Sequence, residues 1–216
     1  MALVTDKIVF LHVPKTAGIW IRHVFKHLKI SHSEVGDQHT HFPELLQYKP
    51  EEYFRSRYVF TFIRHPLTWY QSRWAFRMKH GWKLQHPLDY SCASNDFHTF
   101  VKSALITFPT GWVSNEYSNY IDCVPGGINF VGHTETLITD LVYALNISGE
   151  MNVAPERLAA IPPANDSNID GRPSHFWARY TKDLAQQVET VEQATIKCYY
   201  RDISLSPTVL YGPAGS

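Results

Sequence analysis

The feature that most constrains the fold is an apolar run that stops at a proline near the start of the chain. Residues 8–13 read IVFLHV after a charged Lys7, and Pro14 ends the run. Such a run is typical of a strand buried on both faces, as in a parallel sheet. Over residues 18–28 the apolar side chains recur at helical spacing, which predicts a helix with one buried face. The front of the chain is therefore predicted to be a strand–loop–helix unit.

The same alternation continues along the chain. The predicted elements are strands over 58–63 and 128–132, helices over 66–78, 97–107 and 136–145, one or two helices over 174–200, a short helix near 43–48, and loops over 79–96 and 152–174. Strands that alternate with helices predict an α/β fold with a central, mainly parallel sheet flanked by helices. We expect a single domain over residues 1–210 and a disordered tail over 211–216.

The amino-acid composition argues against several classes of protein. The 216 residues carry 20 Lys+Arg and 20 Asp+Glu, and this balance argues against a nucleic-acid partner, which usually requires a basic chain. The three cysteines are widely spaced with no CxxC, so reduced thiols are favoured over disulfides or a zinc site. The first residues lack the pattern of a signal peptide, and the run over 8–13 is far too short to span a bilayer. We expect a cytoplasmic protein with no membrane span, and the oligomeric state stays open.

The loop over residues 14–18 has the chemistry of an anion site. A strand-to-helix loop presents backbone N–H groups at the positive end of the helix dipole. Lys15 adds a cation, and Thr16 adds a hydroxyl. Gly18 has no side chain, so the backbone can approach the anion closely. An ordinary turn with a surface lysine is an equal alternative from these residues alone. In a kinase or NTPase loop, Lys and Ser/Thr follow the second glycine, whereas here Lys15 precedes Gly18, which favours an anion bound without an essential metal.

Two segments together resemble a known family. Residues 12–18, HVPKTAG, resemble the 5′-phosphosulfate loop of sulfotransferases that use 3′-phosphoadenosine 5′-phosphosulfate (PAPS), especially the carbohydrate-type branch. Residues 64–74, RHPLTWYQSRW, resemble that family's 3′-phosphate motif, where Arg64 and Ser72 would contact the phosphate. Residues 130–135, FVGHTE, resemble a strand end of the same branch. The resemblance covers roughly residues 7–145 and implies a P-loop NTPase-like three-layer fold, PAPS as co-substrate and no required metal.

The resemblance also implies which residues bind the donor. These are Pro14, Lys15, Thr16, Ala17, Gly18, Ile19, Trp20, Arg64, Ser72 and Arg172. Trp20 would stack on adenine, with a core tryptophan as the alternative. Arg172 would lie in a flap over residues 165–172, with a solvated loop arginine as the alternative. Ile19 departs from the family, which usually has Thr or Ser there, so we expect weaker donor binding.

Transfer to a hydroxyl requires a general base. Lys15 would stabilise the leaving phosphate, and the segment 38–45, QHTHFPEL, supplies the base: we expect His41, with His39 as helper or substitute. Related polysaccharide 2-O-sulfotransferases carry a His-x-His between their two donor motifs. Surface histidines and a His-x-His metal site are the alternatives. Weaker base candidates are Glu44 and Glu34.

The expected activity is therefore transfer of a sulfuryl group from PAPS to an acceptor hydroxyl, with carbohydrate as a candidate acceptor. Aromatic candidates for lining an acceptor cleft are Trp74, Trp82, Trp112, Tyr117 and Tyr120. Two rival functions stay open: a nucleotide or small-molecule kinase, and a non-catalytic nucleotide-binding module.

Overall fold

A computed structural model describes residues 2–37, 39–164, 174–203 and 205–211. The strands are β1 (Ala2–Val4), β2 (Ile8–Leu11), β3 (Ser33–Val35), β4 (Tyr58–Ile63) and β5 (Phe130–His133). The helices are α1 (Gly18–His27), α2 (Phe42–Leu45), α3 (Glu51–Arg55), α4 (Pro66–His80), α5 (Pro87–Cys92), α6 (Phe97–Thr107), α7 (Trp112–Ile121), α8 (Leu137–Ile147), α9 (Pro155–Ala159), α10 (Ser174–Trp177), α11 (Lys182–Val191), α12 (Gln193–Tyr199) and α13 (Pro207–Tyr211). A 3₁₀ turn, Thr134–Thr136, joins β5 to α8.

The chain forms two compact units. The first comprises Met1–Arg64 and Tyr117–Asn165, and the second comprises His65–Glu116 and Asp166–Ser216. The first unit contains the sheet, and the second is helical over its described residues.

The sheet of the first unit is mixed, which corrects the prediction of a mainly parallel sheet. Its strand order is β3-β1-β2-β4-β5, with β2, β4 and β5 parallel and with β1 antiparallel to both β2 and β3. A tight turn explains the reversal between β1 and β2, since the Thr5 N–H donates to the Ile8 carbonyl at 3.0 Å. Strands as short as β1 and β3, with three residues each, carry too few side chains to show a period. The α/β class and the flanking helices are confirmed.

The three parallel strands end at one edge of the sheet. Leu11 pairs with Thr61, and Ile63 pairs with His133, so the chain leaves β2, β4 and β5 on the same side. Ligands of open α/β sheets bind at this carboxyl edge. The segments that follow the three strands, 12–17, 64–65 and 134–136, are therefore the ones that the fold brings to a candidate site.

Helices of the first unit pack against the sheet through apolar side chains. The buried face of α1, with Ile21, Val24 and Phe25, joins Phe10 and Phe60 of the strands in one core. Residues of α8 and α9 complete this core. Its burial fixes the orientation of α1, and with it the loop that precedes the helix.

The second unit is built around α4. Its Arg73 and Arg77 lie one helical turn apart, and both form ion pairs with the buried Asp89 of α5, at 2.7 and 2.6 Å. The buried Glu192 carboxylate accepts hydrogen bonds from the Val113 and Ser114 N–H groups at the start of α7, at 3.0 and 2.8 Å. Buried polar groups therefore hold several helices of this unit together.

Several elements match the sequence predictions and others do not. The predicted strand over 58–63 and the helix over 97–107 are confirmed with the same bounds. The predicted loops over 79–96 and 152–174 contain α5 and α9, so they were wrong in part. Of the predicted tail, Tyr211 ends α13, and the remaining residues lie outside the described part. In the described ranges, no helix combines the length and apolar character needed to cross a membrane.

Candidate functional site

The loop between β2 and α1 has a backbone shaped for an anion. The φ angle is positive at Lys15 (67°) and Ala17 (63°), whereas Thr16 between them has a negative φ. Where left- and right-handed conformations alternate, successive N–H groups turn toward one point and form a concave nest for anions, and the signs of φ in this loop are compatible with such a nest. The sequence predicted the position of this loop but not its alternating backbone.

The N-terminus of α1 adds to the nest. No side chain caps this helix end, and its first turn carries no acidic residue. The first N–H groups of the helix have no intrahelical acceptor, and they lie at the positive end of the dipole. Lys15, half-buried in the loop, brings a further positive charge. The Thr16 hydroxyl instead braces the loop, since it donates to the Val13 carbonyl at 2.8 Å and its side chain is fully buried.

His12 lies beneath the loop. Its side chain is only 4% exposed, and its ring packs directly against the backbone of Gly18. A Cβ atom on Gly18 would lie 1.9 Å from the His12 Cδ2 atom, so no larger residue fits there. Burial, reinforced by the positive charges of His39, Arg22 and Lys15, lowers the pKa of His12 to about 2. The imidazole under the loop is therefore neutral at physiological pH.

The two histidines proposed as bases lie in different surroundings. The ring of His39 is exposed and contacts His12 edge-on, with 5.0 Å between ring centroids. The ring of His41 packs against Tyr120 at 4.6 Å, and its Nδ1 atom lies 3.9 Å from a Glu44 carboxylate oxygen. His39 thus contacts the buried His12, whereas His41 has a carboxylate nearby. Across the described ranges, no set of three potential metal ligands includes these histidines.

Arg64 follows β4 at the same edge of the sheet. The Tyr117 hydroxyl brackets its backbone, accepting from the Arg64 N–H at 3.0 Å and donating to the Arg64 carbonyl at 2.7 Å. The Arg64 Nε–H donates to the Thr134 hydroxyl at 3.3 Å, and that hydroxyl donates to the Glu135 carboxylate at 3.2 Å. Both the backbone and the side chain of Arg64 are therefore held in place.

The remaining predicted donor residues have other surroundings or lie outside the described residues. Trp20 belongs to the core, 6% exposed, and its indole N–H donates to the Ile161 carbonyl. Ile19 is half-buried on the first turn of α1. Ser72 lies on α4 in the second unit, where its side chain is buried. Arg172 and the proposed flap over 165–172 lie outside the described residues.

The other candidates have mostly structural surroundings. Glu34 pairs with Arg22 on the surface of the first unit. Among the aromatic candidates for an acceptor cleft, Trp74, Tyr117 and Tyr120 are buried, and Trp82 and Trp112 are half-buried.

The sequence motifs contain His12 and Thr134 but gave them no role in the site, and Tyr117 and Tyr120 were predicted only as candidates for lining an acceptor cleft. The Tyr120 hydroxyl donates to the His39 carbonyl at 2.7 Å. A tyrosine thus holds the backbone of His39, just as Tyr117 holds the backbone of Arg64. Tyr117 and Tyr120 are three residues apart on α7, a spacing that places them on one helix face. That helix was not predicted, so the hydrogen bonds of the pair to the backbone of Arg64 and His39 could not be predicted either.

Comparison with known proteins yields no relative: no family model matches the chain, and neither a curated protein nor a solved structure matches it at the significance required. The function of the chain is therefore inferred from the geometry of the loop and of the sheet edge.

Proposed function

We propose that this protein transfers a sulfuryl group from PAPS to an acceptor hydroxyl, with carbohydrate as a candidate acceptor. The observation that carries the proposal is the concave loop over 14–18, with Lys15 in it, at the sheet edge where Arg64 also emerges. Two cationic anion sites on neighbouring parallel strands suit a ligand with two phosphate-type ends. The same arrangement supports the finer assignment of a P-loop NTPase-like fold.

In this proposal, the loop holds the 5′-phosphosulfate and Arg64 holds the 3′-phosphate. The backbone N–H groups of the loop and the Lys15 ammonium neutralise the anion at the first position. The Arg64 guanidinium offers a planar fork of donors at the second position, and its attachment to Thr134 restricts where that fork can point.

The chemical step follows from these positions. The acceptor oxygen attacks sulfur in line, and its proton passes to a histidine while the bond between sulfur and the bridging oxygen breaks. The leaving 3′-phosphoadenosine 5′-phosphate carries the new negative charge, which Lys15 and the loop stabilise. The protein thus supplies position, positive charge and one proton acceptor.

The proton acceptor is drawn from His41 and His39. The carboxylate of Glu44 near His41 favours His41, because a nearby carboxylate can orient an imidazole. The contact between His39 and His12 beside the loop favours His39. Once an acceptor is known, His41→Ala and His39→Ala identify the base as the variant with the larger fall in turnover at unchanged donor affinity.

Calorimetry tests the donor assignment before any acceptor is known. We expect 3′-phosphoadenosine 5′-phosphate to bind, with ADP and ATP binding at least tenfold more weakly. Arg64→Ala should weaken binding by about 10- to 100-fold, the contribution of a charged hydrogen bond. Lys15→Ala should abolish sulfuryl transfer.

Lys26→Ala is the matched control, because Lys26 is an exposed cation on the last turn of the same helix, α1. It should leave donor affinity unchanged. Preference for ATP with a requirement for a divalent metal would replace the proposal by a kinase. Binding of 3′-phosphoadenosine 5′-phosphate without transfer to any acceptor would indicate a non-catalytic module.

A further inference from the structure

The two ends of the phosphate loop, residues 12–18, touch each other through one side chain. His12 enters the loop from β2, and Gly18 leaves it as the first residue of α1. The His12 ring lies against Gly18 so closely that a Cβ there would be 2.1 Å from Nε2 and 2.6 Å from Cγ. The thickness of this ring therefore sets the distance between the strand end and the helix start, and with it the curvature of the loop.

The His12 ring also contacts a second histidine, His39. The His12 and His39 rings meet at 5.0 Å with an interplanar angle of 64°, an edge-to-face contact. The His39 carbonyl is held separately by the Tyr120 hydroxyl. With the backbone of His39 anchored in this way, the His12 ring limits where the His39 side chain can lie.

The contact is made by an uncharged ring. A proton on His12 would add a positive charge beside Lys15, Arg22 and His39 in a buried position, so the neutral form is retained. The neutral His12 ring therefore affects the loop and His39 through its shape and its packing and not through a charge.

We infer that His12 is a positioning residue, an aromatic spacer that fixes the phosphate loop on one side and His39 on the other. The inference rests on the proposed function, since it assigns His39 a place beside the bound donor. It predicts that the state of the loop is transmitted to His39 through the His12 ring.

The test uses histidine-labelled protein and NMR, with the His39 ring signal assigned from His39→Asn. 3′-Phosphoadenosine 5′-phosphate is titrated into wild type, His12→Ala and His12→Phe, and inorganic sulfate is titrated in parallel. In the wild type the His39 signal should shift on binding. His12→Ala should lose that shift and bind about tenfold more weakly, the effect of one misaligned charged hydrogen bond. His12→Phe, which keeps a ring, should retain the shift.

His23→Ala is the control, since His23 is exposed on α1 and should behave as wild type. A His12→Ala variant with wild-type affinity and an unchanged His39 response would overturn the inference. So would a His12→Phe variant that loses as much as His12→Ala. A wild type that binds sulfate with a His39 shift but does not bind the nucleotide would refute the proposed donor and leave the role of His12 supported.

Discussion

At the scale of single residues, the buried His12 makes stability depend on pH. Its pKa is about 2 in the folded protein and about 6.5 when unfolded, so below pH 6.5 the unfolded chain binds a proton that the folded chain does not. The stability present above pH 6.5 is therefore lost as the pH falls toward 2. We expect the free energy of unfolding to be about 1 kcal/mol lower at pH 5.5 than at pH 7.5 from His12 alone. Urea denaturation at the two pH values measures this difference.

His12→Phe provides the control for that measurement, because phenylalanine does not titrate. Its loss of stability between pH 7.5 and 5.5 should be smaller than that of the wild type by about the same 1 kcal/mol. His86, whose pKa burial also lowers, to about 4, contributes to the loss in both proteins. Equal losses in wild type and His12→Phe would contradict a neutral buried His12.

Some residues of the site could be predicted from the sequence and others could not. Lys15 and Gly18 stand in a short motif between a predicted strand and a predicted helix, and local pattern is enough to find them. The alternating φ angles depend on how α1 packs on the sheet. The contact between His12 and His39 joins residues far apart in sequence, so only the folded chain reveals it.

At the scale of elements, α4 and α5 are joined by a charge cluster with little access to water. Asp89 is fully buried and pairs with Arg73 and Arg77, which are 5% and 4% exposed. Removal of the carboxylate would leave two buried guanidinium groups without their counter-charge. We expect Asp89→Ala to lower the free energy of unfolding by about 3–5 kcal/mol, measured by chemical denaturation.

The exposed ion pair of Glu51 and Arg55 on α3 provides the control for Asp89→Ala. Glu51→Ala should cost less than about 1 kcal/mol, because solvent screens the pair. Similar costs for Asp89→Ala and Glu51→Ala would show that the cluster does not hold α4 to α5.

A helix or a strand could be predicted where its own residues show a clear apolar pattern. The strand β4 and the helix α6 carry a clear apolar run and a clear helical stripe. The helix α7, WVSNEYSNYI, is rich in Ser and Asn, which favour caps and turns over helix interiors. Its first turn is capped by Glu192, about eighty residues later, so the signal that stabilises α7 is not local.

At the scale of the whole molecule, charge balance governs behaviour in solution. The formal net charge is zero with histidines neutral, and the sequence pI is about 7.2. Repulsion between copies is therefore weakest near neutral pH. We expect solubility to pass through a minimum near pH 7 and to rise by pH 6, because the net charge departs from zero on either side of the pI. Precipitation with polyethylene glycol across pH 6–8 measures this, and a minimum below pH 6 would contradict it.

The two left-handed residues of the loop over 14–18 bear on the thermodynamics of any anion that binds there. Neither Lys15 nor Ala17 is glycine, and an L-residue in this conformation costs about 1–2 kcal/mol. Glycine would remove that cost and would also let the unbound loop sample many more conformations. By keeping side chains at both positions, the chain gives up stability in the empty protein and has less conformational entropy to lose when the anion arrives.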